Sequence, residues 1–584
     1  METYKRRYDL LNEKFKEFFL PTLFMSLAMN ISTFVDGLIV SFTLGSINLS
    51  VIQVVLPIIT FINLLYWMIG LGGSLLSSIS KTEYKTEDSD LYFTLSLALL
   101  VIIGIIISAI CFFNMDAVVN LLCHDSSIIP SVKEFLSYLL ISFPFLSFIM
   151  CISYFIRADG KPNLSFKALL IANIVNLIFD LVFILVLGMD VGGAALATSL
   201  GYIIGSIFIS QYFVNKERTL HFISPMKFKF TKILKFYKNI IYSGFPGASS
   251  QLFLTIKVLF FNTIIAMVIG APGLVAFSIC YNSLYILYIF LIGTSQSMLP
   301  IVSVYYKEKD YSGVKHTIFK ALKIVLSSSL ILATLFIICP DILTTLYSVK
   351  GAINIEVTKN AIRLFSISYL GTAITFLYIF YLQSIQKNLY SFLISLLQGL
   401  VFPLSFAYIL SSFLGINGIW LSFSIAEIAT ILIILISVIY INKKHKCKIS
   451  NIFMIPKNKE EEFLDLTVKN NKKDIINLSE KLIDFTKSKG VNDKESKLIG
   501  LALEEMLLNI IENNSKVKNI DLIVRINKDS IILSIKDQGK EFNPAIYKTG
   551  DDSFDNISVL QKIASDISYS RVIGLNNTVI TINR

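Results

Sequence analysis

Long apolar runs separated by short polar joints fill the first three quarters of the chain. They recur at about 17–44, 49–79, 91–113, 134–158, 163–187, 193–214, 238–268, 273–303, 317–339, 360–384, 389–413 and 417–442. Each is long enough to cross a hydrocarbon core of about 30 Å, which takes about 20 helical residues. The pattern predicts twelve membrane-spanning helices. After Lys448 the rhythm changes. FLDLTV reads as a strand, the stretches from Asn471 and Lys494 as two amphipathic helices, DLIVRIN and SIILSIKD as a hairpin, and TVITIN as a closing strand. The expected architecture is an all-α membrane protein of two six-helix lobes carrying a small α/β sandwich. Its parts are an N-terminal segment 1–16, a first lobe 17–214, a basic loop 215–237, a second lobe 238–442, a linker 443–460 and a tail domain 461–584.

Charge in the joints orients the helices. Lys5, Arg6 and Arg7 precede the first run, Lys81 and Lys85 follow the second, Arg157 and Lys161 the fourth, and Lys307 and Lys309 the eighth. The intervening joints are neutral or acidic. The positive-inside rule then places both termini and the tail in the cytoplasm. The first residues lack a small-residue cleavage site, so the first helix is expected to be retained.

Composition supports the membrane reading: 54% of residues are hydrophobic and 16% charged, and the mean hydropathy is +0.68. The net charge of +11 sits in loops rather than along a groove, which argues against nucleic acid as a partner. Six cysteines without a CxxC pair read as small buried hydrophobes, and four scattered histidines lack metal-ligand spacing.

The halves look like a parallel repeat. At an offset of 225 residues, Pro21 meets Pro246, Gly45 meets Gly270, Asn163 meets Asn388 and Gly193 meets Gly418. Such repeats occur in transporters that handle substrate between the halves. The candidate chemistry is not repeated. Asn173, Asn176 and Asp180 fall on one stripe of the fifth helix, whereas Asn176 pairs with Val401 and Asp180 with Ser405 across the repeat. An ionisable group at mid-membrane costs roughly 2.5–3.5 kcal/mol even on lenient scales, and so marks an ion or substrate path by default. Asp36, with Ser32 and Thr33 one turn before it, and Thr198 in the sixth helix complete a polar set. Two carboxylates in one low-dielectric cavity repel, which suits proton uptake and release, and the same oxygens suit Na+. Lys257 and Glu427 are further intramembrane charges, the first able to line a cavity and the second more readily structural.

FVDG at Asp36, RADGKP from Arg157 to Pro162, NLIFD followed by GGAALAT, and the twelve-helix repeat together resemble the multidrug and toxic compound extrusion (MATE) family, closest to its DinF-like branch. The resemblance spans Pro21 to about residue 442. It implies an H+- or Na+-coupled antiporter that expels small organic molecules across the cell membrane, with Asp36, Asn176, Asp180 and Thr198 as the cation site. An asparagine usual in the family is Ser153 here.

The tail resembles the Bergerat-fold ATPase domain of anti-sigma-factor serine kinases through Glu505-x-x-x-Asn509, the hairpin, and Asp537-x-Gly539-x-x-Phe-Asn-Pro. The resemblance implies ATP and Mg2+ as ligands, Glu505 as general base, Asn509 as Mg2+ ligand, Asp537 as the adenine acceptor and Gly539 as backbone room. The family's second glycine box is replaced by Asp555-Asn556-Ile557-Ser558-Val559. The tail is therefore expected to regulate transport, and to be a site where a regulatory protein docks. Two other functions fit the pattern: a membrane receptor with a kinase or protein-sequestering tail, and a flippase for a lipid-linked precursor.

Overall fold

A computed structural model describes residues 6–44, 46–122, 129–269, 271–347, 349, 351–444, 453–456, 462–469, 472–513, 519–527, 529–547 and 556–583, with backbone alone over most of 29–50. The first lobe comprises α1 (Asp9–Leu44), α2 (Ser46–Tyr66) running through a π-turn (Trp67–Leu71) into α3 (Gly72–Thr82), α4 (Thr86–Phe113), α5 (Met115–Leu122), α6 (Ile129–Ala158), α7 (Pro162–Asp180) and α8 (Val191–Ile209). The second comprises α9 (Phe230–Val268), α10 (Ala271–Lys307), α11 (Tyr311–Ile338), α12 (Asp341–Leu346), α13 (Ala352–Ser366), α14 (Ser368–Ser384), α15 (Asn388–Leu396), α16 (Phe402–Leu414) and α17 (Ile416–Lys444).

Among the described residues nine helices are long and apolar enough to span a membrane, or eleven when two bent pairs are each counted as one span. The 36-residue α1 is the remaining element of the expected twelve. One bend, 46° between Ile129–Leu140 and Ser142–Ala158, has a visible cause. Pro144 has no N–H for the Leu140 carbonyl, and the Ser108 hydroxyl donates to that oxygen instead at 2.7 Å.

The tail is a five-stranded antiparallel sheet of β1 (Glu462–Lys469), β2 (Asn519–Ile526), β3 (Ser530–Asp537), β4 (Asp566–Val572) and β5 (Leu575–Asn583), ordered β1-β2-β3-β5-β4. The helices Lys472–Ser488 (α18), Asp493–Asn513 (α19) and Asn556–Ile563 (α20) supply Leu478, Leu482, Leu503, Leu507 and Leu560 to a core shared with Leu522, Val524, Leu533 and Ile535. Alternation turns the intervening strand positions to the other face. That face rests on the membrane half.

The contact is ionic and dry. Arg6, its side chain 2% exposed, donates to Asp310 at 2.9 Å, to Asp521 at 3.1 and 3.2 Å, and to Asp465 at 3.4 Å. Lys536 meets Glu308 at 2.5 Å and Asp310 at 3.3 Å, and Asn577 donates to Glu308 at 2.8 Å. Burial works against the Asp310 carboxylate, but Arg6 and Lys536 outweigh it and hold its pKa well below the ordinary value. Asp465, Asp521 and Glu308 are pushed up, chiefly by burial and against the pull of their cations. Glu308 and Asp310 belong to the α10–α11 turn of the second lobe. The β4–β5 turn reaches the first: a Cβ on Gly160 (φ +86°), in the α6–α7 turn, would clash with the backbone nitrogen of Gly574 (φ +74°), so only glycine fits there.

The described part of the expected linker, 453–456, is packed: Met454 and Ile455 are buried, and Tyr381 donates to the Phe453 carbonyl at 2.5 Å. One expectation changes here. Of the described cysteines, Cys111, Cys151 and Cys280 are buried, whereas Cys339, at the end of α11, is exposed.

Candidate functional site

The stripe on α7 holds in part. Asn176 and Asp180, 6% and 1% exposed, are four residues apart and therefore one turn apart on the buried face. The Asn176 amide donates to Asp180 Oδ2 at 3.3 Å and, across to α8, to Thr198 Oγ1 at 3.2 Å. Thr198 uses its own proton on the Ala194 carbonyl at 3.0 Å, so its oxygen accepts from Asn176. Asn173 is half-buried and its amide nitrogen makes no hydrogen bond among the described residues. It stands beside the set rather than in it.

Close approach of α7 and α8 makes the bridge possible. At Gly201 a Cβ would lie 2.5 Å from the Ala172 carbonyl and 3.2 Å from the Asn176 Cβ, so only glycine lets the helices meet there. Directly after Asp180 the helix widens into a π-turn, Leu181–Val186, a local insertion that often accompanies functional positions. Asp36 lies on α1, which packs along α7, but its side chain lies outside the described residues. In the second lobe the repeat-related Val401 and Ser405 are exposed on the outside of their helix. The site is therefore built once. Its oxygens, one carboxylate, one carboxamide and one hydroxyl, are hard donors of the kind that hold a proton or an alkali cation in a dry setting.

Sequence reasoning missed other polar groups between and beside the lobes. Arg157 donates to Gln296 of the second lobe at 2.6 Å and to the Ser153 carbonyl at 3.2 Å. Asp159 accepts a hydrogen bond from the Tyr212 hydroxyl at 2.7 Å and pairs with Lys81 at 2.9 Å. RADGKP thus fastens the end of α6, and Lys81 and Arg6, expected as topology charges, are buried ion-pair partners. Glu427 behaves as a structural acid, bound by Thr372, Thr375 and Gln398. Lys257 is 7% exposed and lines a cavity instead of reaching for the interface.

In the tail, Glu505 and Asn509 lie half-buried one turn apart on α19. Burial, aided by Glu504 and Glu512, raises the Glu505 pKa. Asp537 closes β3, 2% exposed, with Oδ1 accepting from the Gly539 amide at 2.6 Å and from Asn576 at 3.0 Å. Its pKa is pushed up by burial although both donors favour the charge. Of the Asp555–Val559 stretch, Asp555 lies outside the described residues and the rest opens α20.

A multi-pass helical protein of two repeated lobes with one polar locus inside a lobe is a membrane transporter by architecture. The family model described as MatE matches residues 21–182 and 246–409, once per lobe and more than half of the chain together. The chain belongs to the MATE family. It is 25% identical over 417 residues to the multidrug export protein MepA of Staphylococcus haemolyticus, covering 70% of this chain and 89% of that one. MepA of Staphylococcus saprophyticus is 23% identical over 423 residues, with the same coverage. Among solved structures, an outward-facing multidrug resistance MATE transporter of the MOP superfamily shares the fold with a TM-score of 0.68 at 21% identity, covering 74% of this chain and 96% of that one. A MATE in complex with MaD3S gives a TM-score of 0.68 at 22% identity, with the same coverage.

Proposed function

We propose that the chain is a cation-coupled exporter of organic solutes, in which H+ or Na+ binds in the first lobe at Asp36, Asn176, Asp180 and Thr198. The observation that carries this reading is the buried Asp180 linked through Asn176 to Thr198. A buried carboxylate that accepts from Asn176 alters that bond, and through it the Asn176–Thr198 link to α8, when it gains a proton or a cation, and so can bias one arrangement of the lobe over another. Exchange of multiple drugs fits the MepA relatives by their names, and the DinF-like branch fits FVDG and NLIFD. The test is dye efflux from vesicles under separately imposed pH and Na+ gradients. Asp180→Asn should cut gradient-driven efflux at least about tenfold, equivalent to about 1.4 kcal/mol of lost coupling. Undiminished efflux in that variant would refute the mechanism.

The tail reads best as a cytoplasmic ATP-binding domain that regulates transport. Its strand order, the strand-end Asp537 followed by Gly539, and Glu505 with Asn509 on one helix suit a nucleotide with Mg2+. There Asp537 would accept the adenine amine, Asn509 would hold Mg2+ and Glu505 would orient a water. Regulation is favoured by the docking of the tail on both lobes, through Asp310 in one and Gly160 in the other. A regulatory protein that competes for this tail face would act through the same dock.

A further inference from the structure

The second lobe holds a cavity that the cation site does not use. Its volume is about 150 Å³, it lies between α9, α10, α14 and the π-turn after α15, and Lys257, Ser250 and Gln398 form its polar wall. An ammonium buried in a membrane helix is retained where an anion or a transport path meets it. No carboxylate lines the cavity among the described residues. The acid that Lys257 senses electrostatically, Glu427, is occupied elsewhere: Oε1 accepts from Thr372 at 2.9 Å and Gln398 at 2.7 Å, and Oε2 from Thr375 at 2.7 Å. Three donors satisfy that carboxylate without the lysine. The ammonium is left as the cationic group on the cavity wall.

Much of the remaining wall is aromatic. Tyr288 packs on Phe376 with ring centroids 5.5 Å apart, Phe376 on Phe380 at 5.0 Å, and Tyr285 on Tyr288 at 6.4 Å. We infer that this cavity binds the acid group of an aromatic organic anion, with Lys257 as counter-ion and the Tyr288, Phe376 and Phe380 rings as the surface for its planar body. Drug-sized pockets begin at roughly 300 Å³, so the space takes the acid head and its first ring. The rest of a larger solute passes Tyr285, which is 46% exposed. A carboxylate gains a charge-assisted hydrogen bond from Nζ, and its ring stacks on the aromatic wall. A cationic aromatic of the same shape would set like charges together and be rejected.

This inference deepens the export reading by naming a substrate class, and rests on that reading for transport but not for binding. The experiment is calorimetric titration of the purified full chain with 2-naphthoate and with 2-naphthylmethylammonium, which share a ring system and differ in charge. The wild type should prefer naphthoate. Lys257→Met should weaken naphthoate at least about tenfold while leaving the ammonium compound unchanged or improved. Lys257→Arg, which keeps the charge, should restore the preference and shows that loss in the methionine variant is not misfolding. Equal binding of both probes by the wild type, or undiminished naphthoate binding by Lys257→Met, overturns the assignment. Failure of gradient-driven efflux alone would leave these titrations unaffected and would count against the coupling mechanism instead.

Discussion

Replacing Arg6 by methionine tests the dock between the tail and the membrane half. The change keeps an unbranched apolar stem and removes a guanidinium whose side chain is 2% exposed and contacts Asp310, Asp521 and Asp465. Removing one partner from a buried ionic cluster leaves uncompensated charge and costs about 3–5 kcal/mol. Here Lys536 remains on Asp310 and Glu308, so the lower end applies. At 1.4 kcal/mol per decade, about 3 kcal/mol raises the undocked fraction roughly 100-fold. Two backbone amides report on the contact region: Arg7 N–H, which donates to Thr467 Oγ1 at 3.2 Å, and Gly313 N–H, which donates to Asp310 Oδ1 at 2.9 Å. Hydrogen exchange followed by mass spectrometry should show peptides covering these amides exchanging roughly 100-fold faster, with the tail's own core strands unchanged. If both peptides keep wild-type protection, the cluster does not hold the dock and the reasoning fails.

Three further outcomes follow from the same structure. Asp465, Asp521 and Glu308 have raised pKa values in the docked state, so their contribution is full only below their ordinary values of 3.8, 3.8 and 4.5 and is lost as pH rises through the raised ones. Asp310 has the opposite sign and loses its contribution as pH falls below 3.8, so protection of the dock amides relative to their intrinsic exchange rates should be greatest in mild acid and smaller at both pH 8 and pH 3. Gly201→Val should force α7 from α8 and destabilise by about 1–3 kcal/mol, with efflux lost along with the Asn176–Thr198 bridge; a variant with normal melting and efflux would show that the helices need not touch. Asp537→Asn should abolish calorimetric Mg-ATP binding by the full chain, and retained affinity would remove Asp537 as the adenine acceptor.

The polar stripe was readable because a helix repeats every 3.6 residues: Asn176 and Asp180 had to share a face once the run was helical, and an acid in an apolar run is expensive enough to mark function. Thr198 could be placed in the polar set as a lone hydroxyl early in an apolar run, but its pairing with Asn176 depends on a helix crossing that Gly201 permits and no period encodes. Asn173 shared the periodicity but not the partner.

Hydrophobic pattern and loop charge alone determined the membrane class, the lobes, the tail's sandwich and the location of the polar locus, because each follows from local period or from the cost of placing charge in lipid. Tertiary structure decided the rest. DLIVRIN has one apolar face by alternation, but only packing against the membrane half explains why Asp521 and Lys536, on its opposite face and that of its neighbour, are 1% and 3% exposed. Arg6 looked like one more topology charge until three acids from distant parts of the chain surrounded it. Lys257 could have snorkelled, and only the positions of Thr372, Thr375 and Gln398 around Glu427 leave its ammonium to the cavity. Pairings of this kind join residues tens to hundreds of positions apart, and no local periodicity encodes them.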